Sequence, residues 1–434
     1  MKPKAKLATA QVHQGQLENV LSSRVSFDVP DNVSAVLHIN LDSMVANYRM
    51  MQKLSGEAEC AAVVKANAYG IGDREVVRAL VKQGCQTFFV ANLQEAIRVR
   101  RTSRKPVIYV LDGFHPMSED AYVKHRLRPV LNCLDDVRAW NDFAKSLGSK
   151  SLGSKSPGSK SQGSKSGEAK SQGVKSSASK LKGYIPSAAL QLDTGMNRLG
   201  LPDYEITSLA SNPDYMEHFD LALILSHLAC ADDPTHPLNR LQKSLFDHYL
   251  DKLPKIRSSL ANSAGVTLGA EYHCELTRPG IALYGGEPSM TILLGLKPVV
   301  SLYARILQIH DAKEGESVGY GASHTLTKPK RIATLSAGYA DGIFRILGSS
   351  LSDGPSFACF RGQQVPILGR ISMDLITCDF TDIAPDECAK GDWVELIGKT
   401  NTVNDVAKRA RTSAYEILTA LGPRYHRIYT QGKS

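Results

Sequence analysis

Two patterns of apolar and polar positions alternate along the first two thirds of the chain. Short, almost uninterrupted apolar runs occur at 61–64, 87–90, 107–111 and 221–225, and the segments between them carry apolar residues at helical spacing. Such runs are typical of strands buried on both faces, which alternate with amphipathic helices in parallel sheets. Because the repeats continue over about 260 residues, the pattern favours a closed (β/α)8 barrel of the TIM type over an open sheet.

The pattern changes after about residue 296, where predicted strands and turns follow one another with few predicted helices. This change predicts a mainly β C-terminal domain. The predicted fold class is therefore α/β, a barrel followed by a β domain. We expect a polar N-terminal extension at 1–33, the barrel at 34–295 with its last strand near 281–285, and the β domain at 296–434.

A run of seven pentads, each ending in lysine, occupies most of 146–183. Gly, Ser and Lys bury too little apolar area to offset chain entropy, so we interpret this low-complexity insert as a disordered loop. Eight of the 52 basic residues but only one of the 43 acidic residues lie there, so this insert carries most of the formal charge of +9. The nearly balanced remainder gives no support to nucleic-acid binding. The insert follows a helix and precedes a strand, a connection that lies opposite the active-site face of such barrels.

The eight cysteines are scattered without a C-x-x-C pair, which favours reduced, buried thiols and a cytoplasmic protein. No apolar run approaches the 18 residues that a membrane span needs, and the first 30 residues lack the apolar core of a secretion signal. No membrane partner and no metal site are expected.

One lysine follows an apolar run directly, in the string AAVVKANAYGIG at 61–72. Lys65 would lie at the carboxyl end of a barrel strand, where such barrels keep their active sites. A lysine partly removed from water has a lowered pKa and can condense with a carbonyl group, as it does with pyridoxal phosphate. The alternative is a lysine that simply extends its ammonium group to the surface.

Other strand ends carry polar groups that could bind ligands. In QLDTGMNRLG, Arg198 could clamp a carboxylate or form a surface salt bridge with Asp193. His227, which ends the run LALILSH, could bind a ligand or have only a structural role. The turns ANSAG (261–265) and TRPGIALYG (277–285) could cradle a phosphate with backbone amides and a hydroxyl, or could be ordinary turns.

Two tyrosines of the predicted β domain stand next to glycines, Tyr320 in VGYGAS and Tyr339 in SAGYADG. A tyrosine flanked by glycines can be exposed and reachable by another subunit, although such tyrosines are also common in plain turns. Together with GRISMD and AYEILTALGPR, all these strings occur in one order between about 35 and 429. In that order they closely resemble the alanine racemase family, barrel enzymes that use pyridoxal phosphate.

The resemblance implies a role for each matched position. Lys65 would hold the cofactor covalently and act as one acid/base, and Tyr320, supplied by the second subunit of a head-to-tail homodimer, would be the other. Inverting an α-carbon requires proton removal on one face and proton return on the opposite face. Arg278 would contact the pyridine nitrogen. The remaining implied cofactor contacts are Tyr69, His227, Asn262, Ser263, Gly280, Ile281 and Tyr415. The implied substrate contacts are Arg198, Met373 and Tyr339.

The activity implied by the resemblance is the interconversion of L-alanine and D-alanine, with D-alanine feeding peptidoglycan. A broad-specificity or serine racemase of the same fold and a non-catalytic carrier of pyridoxal phosphate are the alternatives. The absence of a secretion signal favours alanine, and the retained β domain with Tyr320 argues against a carrier. A fold-related decarboxylase is disfavoured, because Arg278 stands where a carboxylate would protonate the ring.

Three positions depart from the family pattern. Gln191 replaces a lysine that many members carry as a carbamate, so we expect chloride or water to supply what the neutral amide cannot give Arg198. Ile71 stands where histidine is usual, and Ser372 where cysteine often occurs. Neither of these two positions carries a proton transfer.

Overall fold

The computed structural model describes residues 26–152, 185–289, 291–348 and 356–432. The N-terminal extension up to residue 25 and the pentads after residue 152 lie outside the described residues. Contacts between Cα atoms divide the chain into two compact units. The barrel unit comprises 45–283 and 287–295, and the sheet unit comprises the residues up to 44, 284–286 and those from 296 onward.

The first strand, β1 (Ala35–Asn40), belongs to the sheet unit. The barrel unit contains the next nine strand segments: β2 (Glu59–Cys60), β3 (Ala62–Val63), β4 (Thr87–Val90), β5 (Val107–Val110), β6 (Arg128–Leu131), β7 (Ser187–Gln191), β8 (Asp220–Leu225), β9 (Ser258–Ser259) and β10 (Leu276–Thr277).

Parallel pairing arranges these segments as a ring. Strands β3 to β9 pair in sequence order, and β10 pairs with β2, which is separated from β3 by a single residue. The ring closes between β9 and β10, because the amide of Glu275 donates to the carbonyl of Ser258 at 3.2 Å and that of Arg278 to Ala261 at 2.9 Å. The predicted (β/α)8 barrel is thereby confirmed.

Helices separate the strands of the barrel unit. Each amphipathic helix buries its apolar face; Val76, Val77 and Leu80 of α2, for example, are fully buried. The right-handed helices up to residue 252 are α1 (Leu41–Leu54), α2 (Asp73–Lys82), α3 (Leu93–Thr102), α4 (Glu119–His125), α5 (Leu134–Leu152), α6 (Asp203–Ser211) and α7 (Pro237–Lys252). A short helical segment, left-handed from Ala66 onward, occupies Lys65–Tyr69. Short 3-10 turns occur at Pro213–Met216, Gly265–Thr267, Ala270–Tyr272 and Ile281–Tyr284.

The sheet unit is built around one long strand, β11 (Val300–Ala312), which pairs antiparallel with β1 and with two later strands. This unit is mainly β, as predicted. Its further strands are β12 (Ser317–Val318), β13 (His324–Thr325), β14 (Lys330–Leu335), β15 (Phe357–Phe360), β16 (Gln363–Pro366), β17 (Ile376–Asp379), β18 (Trp393–Ile397) and β19 (His426–Thr430). Its helices are α8 (Val403–Arg409) and α9 (Ala414–Ala420), with 3-10 turns at Tyr320–Ala322, Tyr339–Asp341 and Arg345–Gly348.

Three sequence expectations differ from the structure. The strand–helix alternation starts with β1, yet β1 pairs with β11 and β19 and not with a barrel strand, since an apolar run does not specify its partner. The strand expected near 281–285 is the 3-10 turn Ile281–Tyr284, whose apolar side chains are buried without strand pairing. The insert expected as a loop from residue 146 begins inside α5, which continues to Leu152.

No helix in the described ranges is long and apolar enough to cross a bilayer. All eight cysteines are free thiols.

Candidate active site

Lys65 follows β3 by two residues and opens a segment of unusual backbone. Ala66, Asn67, Ala68 and Tyr69 all have φ between 53° and 55°, the left-handed region that side chains disfavour by about 1–2 kcal/mol per residue. Hydrogen bonds hold the segment: the amide of Gly70 donates to the carbonyl of Ala66 at 2.7 Å. The backbone after Lys65 is therefore held in a conformation that it would not adopt in isolation.

Glu95 is a second anchor of this segment, and the sequence analysis did not single it out. Its side chain is buried, and its two oxygens accept hydrogen bonds of 2.8 Å from the amides of Ala66 and Ala91. The sequence did carry a local signal for Glu95, an asparagine followed three residues later by a glutamate, which is a pattern typical of helix N-termini. In the structure Asn92 caps α3 by accepting a hydrogen bond from the Glu95 amide.

The surroundings of Lys65 favour its neutral amine. Burial lowers the pKa of Lys65, and the nearby positive charge of Arg198 lowers it further, whereas Glu95 acts in the opposite direction. A lowered pKa increases the fraction of unprotonated amine at neutral pH, which is the form that attacks a carbonyl group or accepts a proton.

Arg278, which follows β10, is 4% exposed and held from several sides. Its guanidinium donates to Ser259 Oγ and to the carbonyl of Ser226 at 2.5 Å, and lies 3.5 Å from His227 Nδ1. Burial lowers the pKa of Arg278 to about 10, so it stays positively charged at neutral pH. Burial, together with the charges of Arg278, Arg198 and Lys65, lowers the pKa of His227 to about 3, so this imidazole is neutral.

Ser263, Gly280 and Tyr69 form a close-packed cradle. Ser263 Oγ accepts from the amides of Gly280 at 2.8 Å and Ala282 at 3.4 Å. A Cβ atom at position 280 would lie 2.3 Å from Tyr69 Oη, so any larger residue would require the Tyr69 side chain to move. Asn262 fixes the neighbouring turn, because its Oδ1 accepts from the amide of Gly265 at 2.8 Å.

This donor set fits pyridoxal phosphate on the structure's own evidence. The cradle, which includes the buried Ile281, combines a hydroxyl and a phenol with backbone amides that a phosphate can approach. Arg278 offers a fixed positive charge, and Lys65 offers an amine biased toward its neutral form.

The loop after β7 presents Arg198. Asp193 Oδ1 accepts from three successive amides, those of Gly195, Met196 and Asn197, at 2.9 to 3.1 Å. No ion pair joins Asp193 to Arg198 in the described part of the chain, so the carboxylate shapes the loop and leaves the guanidinium to other partners. Gln191 is buried and donates to the carbonyl of Leu199 at 2.9 Å, which fixes the backbone next to Arg198.

The remaining predicted residues belong to the sheet unit and are exposed. Tyr320 is 71% exposed between Gly319 and Gly321, which have φ of 76° and 72°. Tyr339 and Met373 occupy adjacent loops, since the amide of Tyr339 donates to Ser372 and that of Ala340 to Met373, both at 3.0 Å. Tyr415, in α9, is also exposed.

The structure therefore brings four predicted residues of the barrel unit together, since the charges of Lys65, Arg198 and Arg278 all act on His227. Of the cradle residues, Gly280 and Ile281 follow Arg278 closely in the chain, and Ser263 is joined to Gly280 by a hydrogen bond. Tyr320, Tyr339, Met373 and Tyr415 lie in the other unit. No group of three or more metal-binding side chains occurs among the described residues.

A barrel with a desolvated lysine at one strand end, a buried arginine and an anion cradle at others defines a class: barrel enzymes built to bind a phosphorylated carbonyl cofactor. Two family models identify the member of this class. The model described as "Alanine racemase, N-terminal domain" matches residues 39–162 and 164–288, and "Alanine racemase, C-terminal domain" matches 299–429. The chain belongs to the alanine racemase family, whose members are isomerases.

Individual relatives agree with this membership. A catabolic alanine racemase of Mesorhizobium japonicum is 39% identical over 92% of this chain and 94% of its own length. A biosynthetic alanine racemase of Agrobacterium fabrum is 37% identical over 91% and 93%. The crystal structure of alanine racemase from Bartonella henselae, with covalently bound pyridoxal phosphate, matches with a TM-score of 0.79 at 36% identity, covering 92% of this chain and all of that chain.

Proposed function

We propose that the chain racemises alanine with pyridoxal phosphate bound at the strand ends of the barrel unit. The carrying observation is the joint placement of Lys65, His227 and Arg278 within electrostatic reach of one another, with the Ser263 cradle following the same strand ends. Membership in the alanine racemase family indicates the reaction, and the contacts of individual residues indicate their roles.

Pyridoxal phosphate supplies a conjugated ring that accepts electron density from the α-carbon and makes its proton removable. Lys65 would hold that cofactor covalently through its neutral amine, and would act as the acid/base on one face of the substrate. The lowered pKa of Lys65 serves both roles, because each needs an unprotonated amine at neutral pH.

Arg278 would hold the ring nitrogen by donating a hydrogen bond. A guanidinium with a pKa of about 10 does not readily transfer its proton at neutral pH, so the nitrogen stays unprotonated. A ring in that state accepts less electron density, which disfavours transamination. His227, kept neutral by burial and by the surrounding positive charge, would steady Arg278.

The phosphate group would be bound by the cradle. Its proposed contacts are Tyr69, Asn262, Ser263, Gly280, Ile281 and, from the sheet unit, Tyr415. The buried hydroxyl of Ser263 and the close approach that Gly280 permits support this assignment.

Arg198 would bind the substrate carboxylate, and Tyr320 would be the acid/base on the opposite face. Two acid/base groups on opposite sides of a flat cofactor invert a stereocentre, whereas one group would return its proton to the same face. We propose that Tyr320, with Met373 and Tyr339, comes from the second subunit of a homodimer. The exposure of all three side chains in a single chain supports this arrangement.

Two physiological points are part of the proposal. The relatives include catabolic and biosynthetic enzymes at 39% and 37% identity, so similarity does not choose between alanine degradation and D-alanine supply for peptidoglycan. We propose supply for peptidoglycan, and a cytoplasmic location, which the eight free thiols support.

The test is hydrogen exchange at the α-carbon. Purified protein with added pyridoxal phosphate is incubated with L-alanine in deuterium oxide, and α-deuteration and D-alanine are measured. We expect rapid formation of both, and strongly reduced formation of both with Lys65→Ala. Parallel incubations with L-serine and L-lysine test the substrate class, since faster exchange with either than with alanine would replace alanine racemase by a broad-specificity or serine racemase.

A further inference from the structure

Gln242 lies in α7 yet reaches two strand-end loops of the barrel. Its side chain is fully buried and uses both ends of its amide. Nε2 donates to the carbonyl of His227 at 2.9 Å and to Thr194 Oγ1 at 3.2 Å, and Oε1 accepts from the amide of Ala229 at 2.8 Å. A side chain of the surrounding helix layer thus fixes the backbone on both sides of Leu228 and the hydroxyl of Thr194.

These bonds continue toward both proposed binding groups. Thr194 belongs to the loop that carries Arg198, and its Oγ1 also lies 2.8 Å from Ser226 Oγ. The carbonyl of Ser226 accepts from Arg278 at 2.5 Å. One continuous, buried network therefore runs from the Arg198 loop through Thr194 and Ser226 to Arg278, with Gln242 joined to it at Thr194 and at the His227 turn.

We propose that Gln242 is a positioning residue that holds the Arg198 loop and the His227 turn in one fixed arrangement. The inference rests on the proposed function, in which Arg198 binds the substrate carboxylate and His227 with Arg278 holds the cofactor ring. Holding both loops from one side chain keeps the carboxylate site and the ring site at a constant separation. A small error in such a separation has a large effect on rate.

A purely structural role predicts a different result, and α7 supplies a matched control. Asn239 lies three residues before Gln242 and is 2% exposed. Its Nδ2 donates to the carbonyl of Asp233 at 2.9 Å, which lies further along the connection that carries His227 and is not bonded to Gln242, and its Oδ1 has no partner. Asn239→Leu therefore removes a buried amide from the same helix without touching the network.

The first experiment compares Gln242→Met with Asn239→Leu in the cofactor-free protein, using amide hydrogen exchange read by mass spectrometry. We expect faster exchange in peptides covering 193–200 and 227–231 in Gln242→Met, relative to the rest of the barrel unit. Asn239→Leu should leave those peptides unchanged. Equal exchange in the two variants would overturn the proposal.

The second experiment divides the network. Thr194→Val keeps the side-chain shape and removes both hydrogen bonds of the Thr194 hydroxyl, those to Gln242 and to Ser226. We therefore expect KM for L-alanine to rise at least about tenfold, the order expected for loss of a buried hydrogen bond. The absorbance spectrum of the bound cofactor should stay unchanged. Gln242→Met should raise KM, lower kcat and alter the pH dependence of that spectrum, while Asn239→Leu should change none of them.

These outcomes separate the two levels of the argument. If the unaltered protein does not racemise alanine, the proposed function is wrong. An active protein whose Thr194→Val variant keeps its KM contradicts the positioning role alone, and this holds even if Gln242→Met fails to fold.

Discussion

The residues proposed for function differ sharply in exposure between the barrel unit and the sheet unit. In the barrel unit Arg278 and Ser263 are 4% and 2% exposed, and both are tied by hydrogen bonds to neighbouring strand ends. In the sheet unit Tyr320 and Met373 are 71% and 53% exposed. This difference supports the proposal that the second acid/base acts together with another subunit.

The largest effects are expected from removing the two proposed acid/base groups, one from each unit. Lys65→Ala and Tyr320→Phe should each lower turnover by about 10²- to 10⁴-fold, the usual contribution of a positioned acid/base. If Tyr320 acts on the site of the other subunit, coexpressing the two variants gives mixed dimers with one intact site. About one quarter of all sites then recover, since half of random dimers are mixed.

Steady-state racemisation of the coexpressed preparation provides the measurement, and each variant coexpressed with itself is the control. Absence of recovery, with mixed dimers demonstrated by two affinity tags, would mean that Lys65 and Tyr320 act within one chain.

The buried half is tested by Gly280→Ala. The added methyl group would meet Tyr69 Oη at 2.3 Å, so the cradle must open, at a cost of about 1–3 kcal/mol for overpacking. We expect weaker binding of pyridoxal phosphate, measured by fluorescence titration of the cofactor-free protein. Gly422→Ala, where the nearest atom lies at 3.4 Å, is the matched control and should bind normally.

A second substitution sharpens this test. Tyr69→Phe removes the atom at 2.3 Å but leaves the ring carbon at 3.0 Å, so adding it to Gly280→Ala should restore part of the stability. No recovery in thermal unfolding would place the strain elsewhere.

A smaller effect concerns acid stability. The pKa of His227 is about 3 in the folded chain and 6.5 in its ordinary state, so the unfolded chain binds more protons between these values. The free energy of unfolding therefore falls as the pH decreases from about 6.5 toward 3. In His227→Asn that slope should be shallower by up to about 1.4 kcal/mol per pH unit, as measured by urea unfolding of the cofactor-free protein. An unchanged slope would show that His227 is accessible to protons.

The smallest expected effect is that of Glu95→Gln. Glu95 raises the pKa of Lys65, so its neutralisation should lower that pKa further. Covalent attachment of pyridoxal phosphate, followed by absorbance across a pH series, should then begin at lower pH than in the unaltered protein. A shift to higher pH would contradict the sign of this interaction.

Much of the fold was predictable because its signals are local. Near-continuous apolar runs such as 87–90 and 221–225 predicted strands that the structure confirms as parallel, and the change of pattern after residue 296 predicted the mainly β unit. The partner of β1 was not predictable, because pairing depends on which sheet edge is open once the whole chain has folded. The apolar string 281–285 misled for a related reason, since burial alone does not imply strand pairing.

The candidate site divides in the same way. Lys65, Arg198 and Arg278 stand in short strings that predicted strand ends, and the structure places all three after strands. Gln242 stands in the middle of a helix, where its spacing indicates only an inward-facing position. That this position meets the Arg198 loop and the His227 turn depends on how α7 packs, which no string encodes.

The left-handed stretch after Lys65 has a consequence for how this protein can vary. Its residues Ala66, Asn67 and Ala68 are short, and threonine or valine in their places would resist that handedness through their branched Cβ atoms. Chain geometry alone is thus enough to disfavour branched side chains at these three positions, even where none of their atoms touches a ligand. Directed evolution of altered substrate range should accordingly yield changes at Arg198 or Met373 before any in this stretch.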